Sequence, residues 1–137
     1  MHTTCLQKQE NIKKIFNSCS TEEARYDQIM ELGKQLKKMD PLHKTEKNLV
    51  KGCQSVMYLH TYKIDDKIFF EAEADALISL GLAALLILIY SGETAETILT
   101  CAPTCLKDLG IHANLSPNRA NGLYHIHLKM KQEALKL

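Results

Sequence analysis

The stretch Ala76-Leu77-Ile78-Ser79-Leu80-Gly81-Leu82-Ala83-Ala84-Leu85-Leu86-Ile87-Leu88-Ile89-Tyr90 is apolar on every side. Such a segment either crosses a membrane or forms the central buried helix of a small domain. It falls short of the ~20 residues a bilayer span needs, and Asp75 and Glu93 bracket it. The expectation is a buried helix wrapped by other elements, with no membrane partner. At 137 residues the chain suits one domain, 1–137, and a hydrophobic content of 45% excludes wholesale disorder.

Around that helix the periodicity predicts a first helix over about Leu6 to Asn17, with Ile12, Ile15, Phe16 and Cys19 at helical spacing. Ser20-Thr21-Glu22-Glu23 has the form of a capping box, its Glu three residues after the Ser. The second helix carries an apolar stripe of Ile29, Leu32, Gly33, Leu36 and Met39, and Gly33 would let a neighbouring backbone come close. Asp40-Pro41 stops it, because a residue before proline is pushed out of the α region. A polar loop from Leu42 to Lys51 leads to Gly52-Cys53. Val56 to Ile64 alternates as a strand, Asp65-Asp66-Lys67 turns, and Ile68 to Ala72 returns. Short helices follow from Thr94 to Leu99 and around Pro103 to Leu109, the latter closed by Gly110. Ser116-Pro117 opens a last helix toward Lys131 or beyond. The fold class is α+β: a single compact domain with a small antiparallel sheet, covered on one face and flanked by helices.

A net charge of +1 gives no reason to expect nucleic acid as a partner. The five cysteines are odd in number and irregularly spaced, and Met1-His2-Thr3-Thr4 leads into a polar stretch rather than an apolar leader. Free thiols in a reducing, cytoplasmic compartment follow. Only Cys53 stands at a glycine turn, where Gly52 can project it from a tight bend. Lys34, Lys37, Lys38, Lys44, Lys47 and Lys51 precede it, with Asp40 and Glu46 the only acids among them. That surround either favours the thiolate or is a solvated face. No glycine-rich phosphate loop and no Ser-His-Asp arrangement is present.

Asn48-Leu49-Val50-Lys51-Gly52-Cys53-Gln54-Ser55-Val56-Met57-Tyr58-Leu59 resembles the N-x-V-x-G-C-x-S-x-V-W-L signature of the SufE family. Arg25-Tyr26 through Leu32-Gly33 and Leu36 resembles its R-Y…L-G-x-x-L helix. Ala74-Asp75-Ala76 followed by Gly81-Leu82-Ala83-Ala84-Leu85-Leu86 resembles S-D-A…K-G-L-x-A-L-L, and Tyr90-Ser91-Gly92-Glu93-Thr94 resembles Y-S-G-x-T. Leu115-Ser116-Pro117-Asn118-Arg119-Ala120-Asn121-Gly122-Leu123 resembles L-S-P-S-R-x-N-G-L. The motifs keep their order from Arg25 to Leu123. Tyr58 replaces the usual Trp, Val56 a common Gln, and Lys37-Lys38 sits where a proline is often found.

The resemblance implies a SufE/IscU-like fold and a sulfur acceptor for a cysteine desulfurase in iron–sulfur cluster assembly. It implies Cys53 as the persulfide-bearing residue, with Gly52, Gln54, Ser55, Asp75 and Arg119 as supporting or partner-facing positions. Pyridoxal phosphate belongs to the SufS-like desulfurase, and no cofactor is expected on this chain. It would carry sulfur, as a monomer or weak homodimer, toward a downstream scaffold complex, with sulfurtransferase-type chemistry rather than an independent enzyme's. The resemblance also implies that the cysteine side chain tucks toward apolar residues, with Met57 and Leu59 or the buried helix as the expected shield.

For Asp75 the alternative role is an N-cap of the buried helix. Arg119 falls near the start of its helix, where a positive charge opposes the dipole, so a partner such as Asp75 is expected. Cys101 and Cys105 form C-x-x-x-C, which on one helix would face both thiols the same way. A rival function is therefore an iron–sulfur scaffold using Cys53, Cys101 and Cys105, although that spacing is not the usual metal knuckle. His125 and His127 point apart on a helix.

Overall fold

The computed structural model describes residues 2–137. Helix α1 (Thr3–Phe16) and helix α2 (Glu22–Gln35) precede a hairpin of β1 (Met57–Ile64) and β2 (Lys67–Ala74). Helix α3 (Leu77–Tyr90), strand β3 (Glu93–Thr94), α4 (Ala95–Thr100), α5 (Thr104–Asp108), α6 (Ile111–Asn114) and α7 (Pro117–Lys136) complete the chain. The result is a single α+β domain with a three-stranded antiparallel sheet of order β1-β2-β3.

Alternation sorts the sheet. Met57 and Leu59 of β1 and Ile68, Phe70 and Ala72 of β2 are buried on the face toward the helices, as expected of a sheet covered on one side. Helix α3 sits at the centre, packed against α1, α2, α7 and β2. Its residues from Leu82 to Leu86 are essentially without exposure, so the apolar run is a core helix. No helix among the described residues is long and apolar enough to cross a membrane. Gly33 meets α3 at its closest approach, where a Cβ would lie 2.8 Å from Gly81 N, and a Cβ at Gly81 would lie 2.2 Å from Ile29 O. The predicted backbone contact at Gly33 is thus present, with Gly81 as its counterpart.

Several element ends differ from expectation. The α2 cap is Thr21, whose hydroxyl accepts from the Ala24 N–H at 3.0 Å, one residue later than the Ser20 box. Helix α2 ends at Gln35 rather than before Pro41, and Leu36 is already extended. Leu36, Lys37 and Lys38 border a surface pocket together with Ala72 to Ala74 of β2, and Met39 is buried without being helical. Ile15 is 38% exposed and lies outside the α1 stripe, whose buried members are Cys5, Gln9, Ile12 and Phe16. Strand β3 and helix α6 carry too few residues to show any periodicity. Strand β3 is held by Glu93, buried and paired with Lys8 and the Thr4 hydroxyl of α1.

Candidate functional site

Cys53 occupies the tip of a hairpin. The Val50 N–H donates to Met57 O at 2.8 Å and Leu49 bridges Tyr58, which leaves residues 51–56 as the tip. Gly52 turns at φ +91°, and a Cβ there would strike the His125 ring at 2.5 Å. Conformation and space both require the glycine. Asn121 Nδ2 of α7 donates to Gly52 O at 3.2 Å.

The Cys53 side chain is half-buried, turned toward α7 with its Sγ 3.8 Å from Gly122 O. Leu82 of α3 and Ile126 of α7 share its niche, which leaves about 10 Å³ free. That is roughly the room of one water. The shield therefore does come from the buried helix, but with α7 as the second wall. Met57 and Leu59 lie in the core and do not line the niche. Burial pushes the Cys53 thiol above its ordinary pKa, and the lysines before it do not offset that rise. The resting residue is a thiol.

Asp75 and Arg119 both serve the tip, in separate places. The Val56 N–H donates to Asp75 Oδ1 at 3.0 Å, and the Asp75 N–H donates back to Val56 O at 3.1 Å. Asp75 thus closes the base of the tip. It does not cap α3, whose N-cap is Ala76 without a side-chain bond, because Asp75 stands one position too early. Arg119 does not pair with Asp75. Its Nη1 donates to Ser79 Oγ at 3.0 Å, and the Ser55 hydroxyl donates to the same oxygen at 2.8 Å. Ser79, buried in α3, joins the Cys53 loop to α7 and was missed from sequence. Its signal was a hydroxyl inside an otherwise apolar run. Ser116 caps α7 as expected, its Oγ accepting from the Arg119 N–H. Gln54 is exposed.

Cys101 and Cys105 do not share a helix: Cys101 ends α4 and Cys105 lies in α5. Both are buried near Gln9, whose Nε2 reaches Cys5 Sγ and Cys101 Sγ and whose Oε1 accepts from the Cys105 N–H. Burial, reinforced by Cys101, pushes the Cys5 thiol up to about 12, and burial pushes Cys105 to about 11. Among the described residues no group of ligating side chains joins Cys53 to Cys101 or Cys105, so the scaffold's ligand set does not converge. His125 backs Gly52 while His127 stacks on Tyr90, so the two do point apart. On the outer side of the tip, Lys47, Lys51, His125, Lys129 and Lys136 line a groove of about 860 Å³.

This site can present one thiol, held shut by a few side-chain bonds, to another protein. Residues 10–134 match the family model described as SufE: Fe-S metabolism associated domain. The chain is 36% identical over 131 residues to the Arabidopsis thaliana protein named SufE-like protein 1, chloroplastic/mitochondrial, covering 95% of this chain and 35% of that one. It thus spans about a third of that relative's length. It is 34% identical over 128 residues to an uncharacterized SufE-like protein of Synechocystis, covering 91% of this chain and 80% of that protein. The solution structure of a hypothetical protein from Thermus thermophilus superposes with a TM-score of 0.74 at 22% identity, over 95% of this chain and 97% of that one. That likeness shows the fold.

Proposed function

The chain belongs to the SufE family of Fe-S metabolism proteins, and from that premise we propose that it accepts sulfur from a cysteine desulfurase onto Cys53 and relays it toward iron–sulfur cluster assembly. The observation that carries the proposal is the setting of Cys53. It is half-buried at a hairpin tip, whereas Cys5, Cys101 and Cys105 lie inside the core and Cys19, half-buried too, sits in the connection between α1 and α2 rather than on a hairpin tip.

The donor is a persulfide on the desulfurase, made from free cysteine with that enzyme's pyridoxal phosphate. The Cys53 thiol loses its proton to solvent or to the partner as the tip opens. Its thiolate then attacks the donor's terminal sulfur. A new S–S bond forms at Cys53, the donor's S–S bond breaks, and the donor cysteine leaves as a thiolate. The next acceptor's thiolate repeats the exchange and restores Cys53. Clearing the donor frees it for another turnover, so the chain acts as an activator while carrying sulfur itself. Burial at rest keeps the thiol from solvent and oxidants between transfers. The niche has little room beyond the thiol, which supports opening at transfer, with Gly52 as a pivot and Asp75, Ser55 and Arg119 as the ties that must yield. Gln54 and the basic groove beside Gly52 would face the desulfurase. Free thiols suit a reducing compartment such as the cytoplasm.

Intact mass spectrometry after incubation with a desulfurase and free cysteine tests this. One added sulfur, mapped to Cys53 and removed by reductant, is expected, and none on Cys53→Ser. Sulfur on another cysteine would overturn the assignment. Full desulfurase activation by Cys53→Ser would make the chain an adaptor that docks without accepting sulfur.

A further inference from the structure

On the sheet face opposite the helices, three side chains unconnected with Cys53 converge. His60 of β1 and Glu71 of β2 are direct partners across the antiparallel ladder, so the sheet fixes their backbones. Both follow or precede buried inward residues, which sends them to the outer face. His43 comes to them on a 3-10 turn, Pro41–His43. Asp40 Oδ1 accepts from the Leu42 N–H at 3.0 Å, and Asn48 Nδ2 donates to His43 O at 2.7 Å, so that turn is held from both sides.

The His43 and His60 rings stack with centroids 3.6 Å apart and planes 10° from parallel. His43 Nδ1 is 3.7 Å from Glu71 Oε1, beyond hydrogen-bond reach, and it is shut off from solvent with no partner. A buried nitrogen left unpaired is costly, and its presence needs a reason. One ligand atom from each of the three residues lies within 4.8 Å of the other two. Neighbouring Lys44 is taken up by Glu73, leaving Glu71 with no lysine or arginine partner among the described residues.

We propose that His43, His60 and Glu71 form a binding site for one divalent metal ion of the zinc class. Two imidazoles and a carboxylate are the donor set such ions prefer, with water completing the coordination. Tetrahedral bonds of this type bring ligand atoms to about 3.3 Å from one another, so the three groups, now within 4.8 Å, must close in by up to about 1.5 Å. The stacked rings, both half-buried, must fan apart to aim their lone pairs at one point. The bound ion would satisfy His43 Nδ1 and pin the segment between α2 and the Cys53 tip to the sheet. This site does not depend on the sulfur-acceptor reading.

The test is calorimetric titration of the full chain with Zn²⁺ under reducing conditions, alongside Co²⁺ absorption spectra. Wild type and Cys53→Ser should each bind one equivalent, and the Co²⁺ complex should lack a thiolate charge-transfer band. His60→Ala and Glu71→Gln should each weaken binding by at least about tenfold. Without metal, His60→Ala and Glu71→Gln should keep the wild-type melting temperature closely, while a fixed Zn²⁺ concentration should raise the melting temperatures of wild type and Cys53→Ser more than theirs. Absence of binding, equal binding by His60→Ala, or a thiolate band that vanishes in Cys53→Ser would each overturn the site.

Discussion

At Cys53 the decisive quantity is access rather than intrinsic acidity. Burial raises its pKa, so alkylation of the resting protein should be slow at neutral pH, with a midpoint above the ordinary thiol value of 9.0. The ties that keep the tip closed set how often it opens. Arg119→Ala removes a charge-assisted bond to Ser79, worth about 1.5–3 kcal/mol, so opening should become roughly ten- to a hundredfold more frequent. Stopped-flow alkylation with a thiol reagent reads this directly. The variant should react faster by that factor while its circular dichroism is unchanged, and an unaltered rate would show that the Ser79 bridge does not hold the tip. Cys53 and Gly52 were legible in sequence because a glycine turn and a cysteine are chemically singular. The Arg119–Ser79–Ser55 bridge was not, because it joins three elements whose mutual placement no local pattern encodes. Asp75 was half legible: its importance carried over, while its partner, the Val56 N–H, depends on how β1 begins.

Among the elements, the α2–α3 crossing constrains the sequence most tightly. Gly33 and Gly81 let the two backbones approach, and a methyl group at Gly81 would run into the Ile29 carbonyl of α2. Gly81→Ala therefore gains helix propensity but forces the helices apart, and overpacking of this kind costs about 1–3 kcal/mol. Urea unfolding should show a lower midpoint with an unchanged slope, and a stabilised variant would mean that the crossing is looser than the contact distances imply. This approach was foreseen at Gly33, because a glycine inside an apolar stripe has few other uses. Helix ends were less legible. Leu36 and Met39 continue the apolar spacing of α2, yet the helix has ended by Leu36, so burial alone did not distinguish a helical residue from a buried one in a loop. The apolar run of α3, by contrast, was legible, because it is too short for a bilayer span and is bracketed by Asp75 and Glu93.

Taken as a whole, the molecule closes its core with α7, and His127 is the titratable group caught in that closure. Its ring stacks on Tyr90 of α3 at 5.2 Å, and its Nε2 is buried without a partner. Burial, then the nearby Lys131 and His112, lowers its pKa from 6.5 to about 4. Above pH 6.5 folded and unfolded chains both carry the neutral ring, and His127 imposes no pH dependence. Between 6.5 and about 4 the unfolded chain takes up a proton that the folded chain refuses, so stability falls as the pH falls. The slope from this residue is at most about 1.4 kcal/mol per pH unit. His127→Phe keeps a ring against Tyr90 and removes the proton site, while the carboxylates that titrate in the same range stay as they are. Denaturant midpoints for the two proteins should run parallel from pH 8 to 7 and diverge below about 6.5, with wild type losing stability faster. Parallel curves down to pH 4 would show that His127 protonates in the folded state as easily as in the unfolded chain, and that α7 does not seal this side of the core.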